Sequence, residues 1–223
     1  QAAADLGAEV VGGVEIPGGG SHDFGSAFGF NLTGPIFSNG FRLGSSPGPA
    51  PILMAIGPQY TVDMWMGVDG FITFTNIHNV FKSISVFNGQ YAPSVEFERS
   101  AATGGLPKLS YTLAEPYGTP AITLYSTYDI VSGGSAIKHF AFVFRQPNNV
   151  MEVWVNGVMY DSLSNPGIAN IASVVFICIG MMDSLFLTET YYHFLKDVRF
   201  MNVALSPGEI QNIVRNGPML TRT

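Results

Sequence analysis

The sequence predicts an all-β chain: a two-sheet antiparallel β-sandwich with jelly-roll connections and one short C-terminal helix. Three observations carry this. Short apolar runs with period-two alternation recur along the chain, and the 26 Gly and 14 Pro fall mostly between them. Asn156-Gly157 sits between two β-prone runs. The clearest helix start and stop signals meet near the C-terminus, between Ser206 and Pro218.

The elements follow in chain order. Residues 1–25, rich in Ala and Gly, read as a flexible or extended N-terminal arm with one short strand at Glu9–Ile16 and a joint at Gly18-Gly19-Gly20. The apolar residues of that strand, Val10, Val11, Val14 and Ile16, are its candidate assembly contacts. Residues 26–223 read as a single sandwich domain. Its strands begin with "SAFGFNL" and "FRLG", followed by a bend at Pro47, Pro49 and Pro51. In "QYTVDMWMGVDGFITFTN", Tyr60, Val62, Met64 and Met66 alternate with Thr61, Asp63, Trp65 and Gly67. Further strands are expected at Val80–Phe87, Ser94–Glu98, Lys108–Leu113, Ala121–Tyr128 and Ile137–Arg145. In "VMEVWVNGVMYDS" the Asn-Gly pair favours a type I′ turn, whose twist suits a two-residue hairpin loop. "ASVVFICIGM" reads as a buried strand holding Cys178, the only cysteine and an inert thiol. Tyr191–Val203 is a long strand with Phe194, Val198 and Phe200 as burial candidates. Ser206 then caps a helix with Pro207 at its first position and Glu209 closing a capping box. Ile210, Ile213 and Val214 make its apolar stripe, and Gly217-Pro218 stops it. The helix is expected to cover a sheet edge or end. The total is about a dozen strands.

Composition narrows the function. Charged residues are 12% of the chain against a typical share of about 25%, and the net charge is −6 with no basic cluster. Nucleic acid is excluded as a partner, because phosphate binding needs concentrated Lys and Arg. No apolar run is long enough for a membrane span. Aromatic residues at 13% and nine Met point to apolar surface covered by other protein subunits, in a larger assembly or a homo-oligomer, or to an unusually large core. The chain opens on Gln1 rather than Met, so a segment upstream is expected. Asn31-Leu32-Thr33 fits the N-glycosylation sequon.

Three stretches in order, "YTVDMWMG", "KHFAFVFRQPNNVMEVWVNGVMYDS" and "FLKDVRFMNVALSPGEIQNI", resemble signatures of laminin-G-like, concanavalin A-like domains across roughly residues 60–217. The resemblance implies two curved sheets packed face to face, and mostly binding modules for glycans or proteins. Some members are glycoside hydrolases, which set two carboxylates across a groove. Their glucanase pattern, Glu-x-Asp-x-x-Glu, is met only by Glu96-Phe97-Glu98, with no third acid after Arg99. No catalytic residue is therefore assigned. Gly44-Ser45-Ser46-Pro47-Gly48 fits Gly-x-Ser-x-Gly, but its prolines forbid the helix a nucleophile elbow needs. His139 falls at the family's strand start, which implies packing and hydrogen bonding.

Calcium is the one cofactor the resemblance admits, with Asp69, Asp183 and Asp197 as candidate ligands. Lys196 stands where many relatives carry an acidic residue before the Asp-Val-Arg strand. For a glycan partner, Trp65, Trp154 and Tyr160 are the candidate stacking rings, with core packing the competing role for Trp65. The function expected is a non-catalytic module in a larger assembly, most specifically a virion structural or capsid or appendage decoration protein. The alternative is a secreted or cell-surface lectin-like module, and a glycoside hydrolase comes last.

Overall fold

The computed structural model describes residues 8–11, 13–16, 27–31, 40–43, 54–73, 78–85, 90–98, 103–104, 108–114, 121–130, 137–165, 167–168, 171–172, 174–179 and 190–218. These form β1 (Ala8–Val11), β2 (Gly13–Ile16), β3 (Ala27–Asn31), β4 (Gly40–Leu43), β5 (Met54–Ala55), β6 (Tyr60–Thr73), β7 (His78–Ser85) and β8 (Ala92–Glu98). There follow β9 (Lys108–Ala114), β10 (Ile122–Tyr125), β11 (Lys138–Arg145), β12 (Val150–Val155), β13 (Val158–Ser164), β14 (Val174–Ile179), β15 (Thr190–Met201) and a helix, α1 (Pro207–Asn216).

The strands make two antiparallel sheets. One runs β1-β4-β14-β7-β8-β9-β10, with β5 also pairing β14; the other runs β13-β12-β11-β6-β15-β3-β2. The strand expected at Glu9–Ile16 is two strands, β1 pairing with β4 and β2 pairing with β3. Val10 and Val11 thus lie on the edge of one sheet, and Val14 and Ile16 on the edge of the other.

Alternation explains the layers. On β6, Tyr60, Val62, Met64 and Met66 turn inward and pack with Phe140, Phe142 and Phe144 of β11. From the facing sheet come Val95, Phe97, Leu109, Tyr111 and Leu113. The aromatic rings interlock edge to face: Phe142 lies 6.2 Å from Phe81 and 5.7 Å from Tyr111, centroid to centroid. The Tyr60 and Tyr111 hydroxyls meet at 2.6 Å in the middle of the core and tie the two sheets together. Burial pushes both phenols above their ordinary pKa, because ionising either one there leaves a charge without water. Val198 and Phe200 of β15 pack against this core, while the side chains of Phe194 and Cys178 lie outside the described residues.

The hairpin and the helix form as their chemistry demands. Asn156 and Gly157 take φ of 48° and 79°, the two positive values a type I′ turn requires. Ser206 accepts a hydrogen bond from the Glu209 amide, and the Glu209 carboxylate accepts one from the Ser206 amide at 2.7 Å. The Ser206 hydrogen bonds also hold the Glu209 carboxyl below its usual range. The helix meets the end of the β12–β13 hairpin, where Gln211 donates to the Gly157 carbonyl, but it covers more than the end the sequence suggested. It lies on the outer face of the seven-stranded sheet, where Ile210 and Leu205 pack on Ala141, Val143 and Trp154. The reason is on the strands: β11 and β12 carry apolar residues at these outward positions, and the apolar stripe of α1 supplies the cover.

Candidate functional site

The outer face of the seven-stranded sheet carries a closed polar cluster. Asp63 of β6, His139 of β11 and Arg199 of β15 stand on three neighbouring strands. Arg199 reaches Asp63 because β15 bulges between Lys196 and Arg199, with Asp197 at a φ of 50°. The Asp63 carboxylate accepts from His139 Nε2 at 2.8 Å, from Arg199 Nε at 2.9 Å and from Arg199 Nη2 at 2.5 Å. Asp63 and His139 are fully buried. His139 Nδ1 has no hydrogen-bond partner, so the neutral imidazole that donates through Nε2 fits the site. This His-Asp pair has the chemistry of an acid-base dyad, but burial of both members keeps substrates away.

A second cluster fastens the helix. Glu152 accepts from Arg145 Nε and from Trp154 Nε1, each at 2.7 Å. The Arg145 guanidinium also donates to the carbonyls of Ala204 and Leu205, just before α1. Thr61 donates to the Val203 carbonyl at 2.8 Å and accepts from the Leu205 amide at 2.9 Å. Both clusters are architectural.

The open chemistry lies where β10 and β13 meet at one side of the sandwich. Val158 pairs with Val155, Met159 with Trp154 and Asp161 with Val153, so Tyr160 is the extra residue of a β-bulge. A bulge brings consecutive side chains to the same side of the strand. Tyr160 and Asp161 accordingly both meet the segment 126–128. The Tyr160 ring stands at 88° and 5.2 Å from Tyr128. The Asp161 carboxylate accepts from Ser126 Oγ and from the Thr127 amide through Oδ2, each at 2.8 Å. Lys138 Nζ donates to the Tyr128 hydroxyl at 2.5 Å and lies 5.2 Å from that ring's centroid. Val158, Met159 and Tyr160 are 60%, 48% and 45% exposed. An edge strand with three exposed apolar residues in a row invites a partner.

The residues singled out in the sequence fare differently. Trp65 and Trp154 are 5% and 6% exposed, so neither offers a ring face to a sugar. Trp65 lies against the His139 ring, and Trp154 is sealed under α1. Tyr160 alone of the three is open. Asp197 lies at the β15 bulge; Asp183 and the Asp69 side chain lie outside the described residues. Among the described residues no group of three His, Cys, Asp or Glu side chains could hold a metal ion. Glu96 accepts from Ser94 at 3.3 Å, and the side chains of Glu98 and Arg99 lie outside the described residues. The sequence reading missed the roles of Tyr128, which the approach of β10 to β13 brings against Tyr160, of Lys138, which contacts Tyr128, and of Asp161, which the β13 bulge turns toward Ser126 and Thr127.

Among the described residues, fold and clusters define a two-sheet β-sandwich scaffold whose seven-stranded sheet carries a buried polar cluster and a docked helix on its outer face, with an exposed apolar stretch where β10 and β13 meet. No family model matches the chain, and no curated protein does. Solved structures do share the fold. The binding domain of Paraclostridial Mosquitocidal Protein 1 superposes with a TM-score of 0.66 at 12% identity, over 94% of this chain and 47% of that one. The botulinum neurotoxin serotype G binding domain gives 0.65 at 12% identity, over 94% and 46%. The binding domain of botulinum neurotoxin DC, in complex with rat synaptotagmin II, gives 0.52 at 15% identity, over 84% and 45%. The chain thus spans about half the length of each of these binding domains.

Proposed function

We propose that the chain is a non-catalytic recognition module presented by a larger assembly, with the sandwich as a rigid scaffold and the β10–β13 edge as its contact surface. The observation that carries this is the exposure of Val158, Met159 and Tyr160 on a strand held in place from both ends. The type I′ turn and the carboxamide of Gln211, which donates to the Gly157 carbonyl, fix one end. At the other end Ser164 donates to the Asn148 carbonyl. A pre-ordered surface binds without first spending ordering entropy. The likeness to solved structures named as binding domains supports the same reading.

The finer family reading is laminin-G-like, supported by the Asp197-Val198-Arg199 strand, whose bulge builds the Arg199–Asp63 pair. The setting proposed is a particle shell or appendage, as in a virion structural or decoration protein. The low charge supports it, as do β1 and β2, which lie at the edges of the two sheets with Val10, Val11, Val14 and Ile16 as assembly contacts. A secreted or cell-surface setting would use the same recognition edge.

The test is binding of the labelled chain to intact particles or cells from its source. Saturable binding that is lost in a Val158→Glu/Met159→Glu variant of unchanged circular dichroism supports the proposal. Binding that survives this double substitution overturns it, as does release of reducing sugar from a glycan ligand.

A further inference from the structure

The geometry points to a shallow saccharide subsite at Tyr160 and Asp161, one that takes a hexopyranose with equatorial hydroxyls. This rests on the reading of the chain as a binding module and names the ligand class of its edge.

A pyranose with equatorial hydroxyls shows C–H groups on both ring faces and hydroxyls around its rim. Recognising it takes an exposed aromatic face that cannot collapse, beside a fixed hydrogen-bond acceptor. Tyr160 supplies the face. Its ring is braced edge-on by Tyr128 at 5.2 Å, and Tyr128 is braced in turn by Phe140 at 5.7 Å and 78° and by the Lys138 ammonium. Asp161 supplies the acceptor. Its Oδ2 is held by Ser126 Oγ and the Thr127 amide, which leaves Oδ1 to accept from a rim hydroxyl. Ser126 Oγ also accepts from the Tyr128 amide at 3.1 Å, so ring brace and carboxylate brace are one turn. An axial hydroxyl on the stacked face would lose its water against the ring with no partner, which selects the equatorial configuration. Val158, exposed and on the same side of β13 as Asp161, extends the apolar surface toward a neighbouring sugar.

The site is a platform rather than a pocket. A single sugar therefore binds weakly, with a Kd of about 1–10 mM, and tight attachment comes from many copies acting together.

The test is titration of the isotope-labelled full chain with methyl β-glucopyranoside, followed by amide chemical shifts. Saturable shifts at Thr127, Tyr128, Tyr160 and Asp161 are expected, with none from glycerol at the same concentration. Tyr160→Ala is expected to abolish them while amides elsewhere keep their positions. Tyr160→Phe should retain them, because the ring and not its hydroxyl does the stacking; Asp161→Asn should weaken them. Three results would overturn the inference: no shift at about 50 mM sugar, shifts that survive Tyr160→Ala, or equal shifts from glycerol. If the chain binds its source surface while the sugar does nothing, the saccharide inference falls and the recognition module stands. A protein partner that protects these amides in the absence of any sugar effect has the same meaning.

Discussion

Replacing Asp63 by Ala removes the acceptor shared by His139 and Arg199, and the cost can be worked from who is left behind. The two partners differ in their access to water. The Arg199 side chain is 31% exposed and rehydrates, whereas His139 is fully buried and its Nε2–H loses its only acceptor. With Nδ1 already unpartnered, the whole imidazole is then orphaned. Breaking a buried pair by removing one partner costs about 3–5 kcal/mol, and the rehydration of Arg199 places this case near 3 kcal/mol. For a chain of this size that lowers Tm by about 6–12 °C. Urea unfolding and calorimetry of the single variant measure it. A triple variant, Asp63→Val/His139→Leu/Arg199→Met, removes every orphan together and should recover more than half of the loss. A single-variant cost below about 1 kcal/mol, or a triple variant as unstable as the single one, would refute the reasoning.

The Tyr60–Tyr111 pair makes stability fall in alkali. Both folded pKa values are raised while the unfolded phenols ionise near 10, so the contribution is complete below pH 10 and is lost as pH rises above it. The slope due to the pair is up to about 2.7 kcal/mol per pH unit, and urea titrations from pH 9 to 11 should show it flattened in the Tyr60→Phe/Tyr111→Phe variant. Ser206→Ala removes the helix cap and should cost about 1 kcal/mol in urea unfolding. The Glu209 carboxyl, held below its usual range by Ser206, should titrate at a higher pH in that variant, as carbon-detected NMR would record. Gly157→Ala puts a Cβ at a φ of +79° and 3.3 Å from Gln211 Cγ, and a thermal scan should show a loss of about 1–2 kcal/mol.

Local chemistry made much of the fold legible. Asn156-Gly157 specifies its turn whatever surrounds it, and Ser206-Pro207-Gly208-Glu209 caps its helix from within four residues. The alternation of Tyr60 to Met66 located a core face for the same reason, since pleating is a local property. The helix position was legible only in part, because its seat on the outer face depends on which outward positions of β11 and β12 are apolar once the strands are paired. The arm's single strand became two because pairing with two different sheets decides where a strand ends. The site was half readable. Tyr160 was evident as an aromatic near a hairpin, but its bulge and its nearness to Ser126, Tyr128 and Lys138 arise from tertiary pairing. Trp154 shows the converse: its alternation is visible, yet only the docked helix shows that its face is closed.

The most direct test of recognition at the β10–β13 edge is hydrogen exchange of the full chain, free and bound to the surface it recognises. Protection on binding is expected at residues 126–128 and 158–163, with the Asp63, His139 and Arg199 strands unchanged. Protection centred on the outer face around Trp65 and His139, with the β13 amides unaffected, would contradict it.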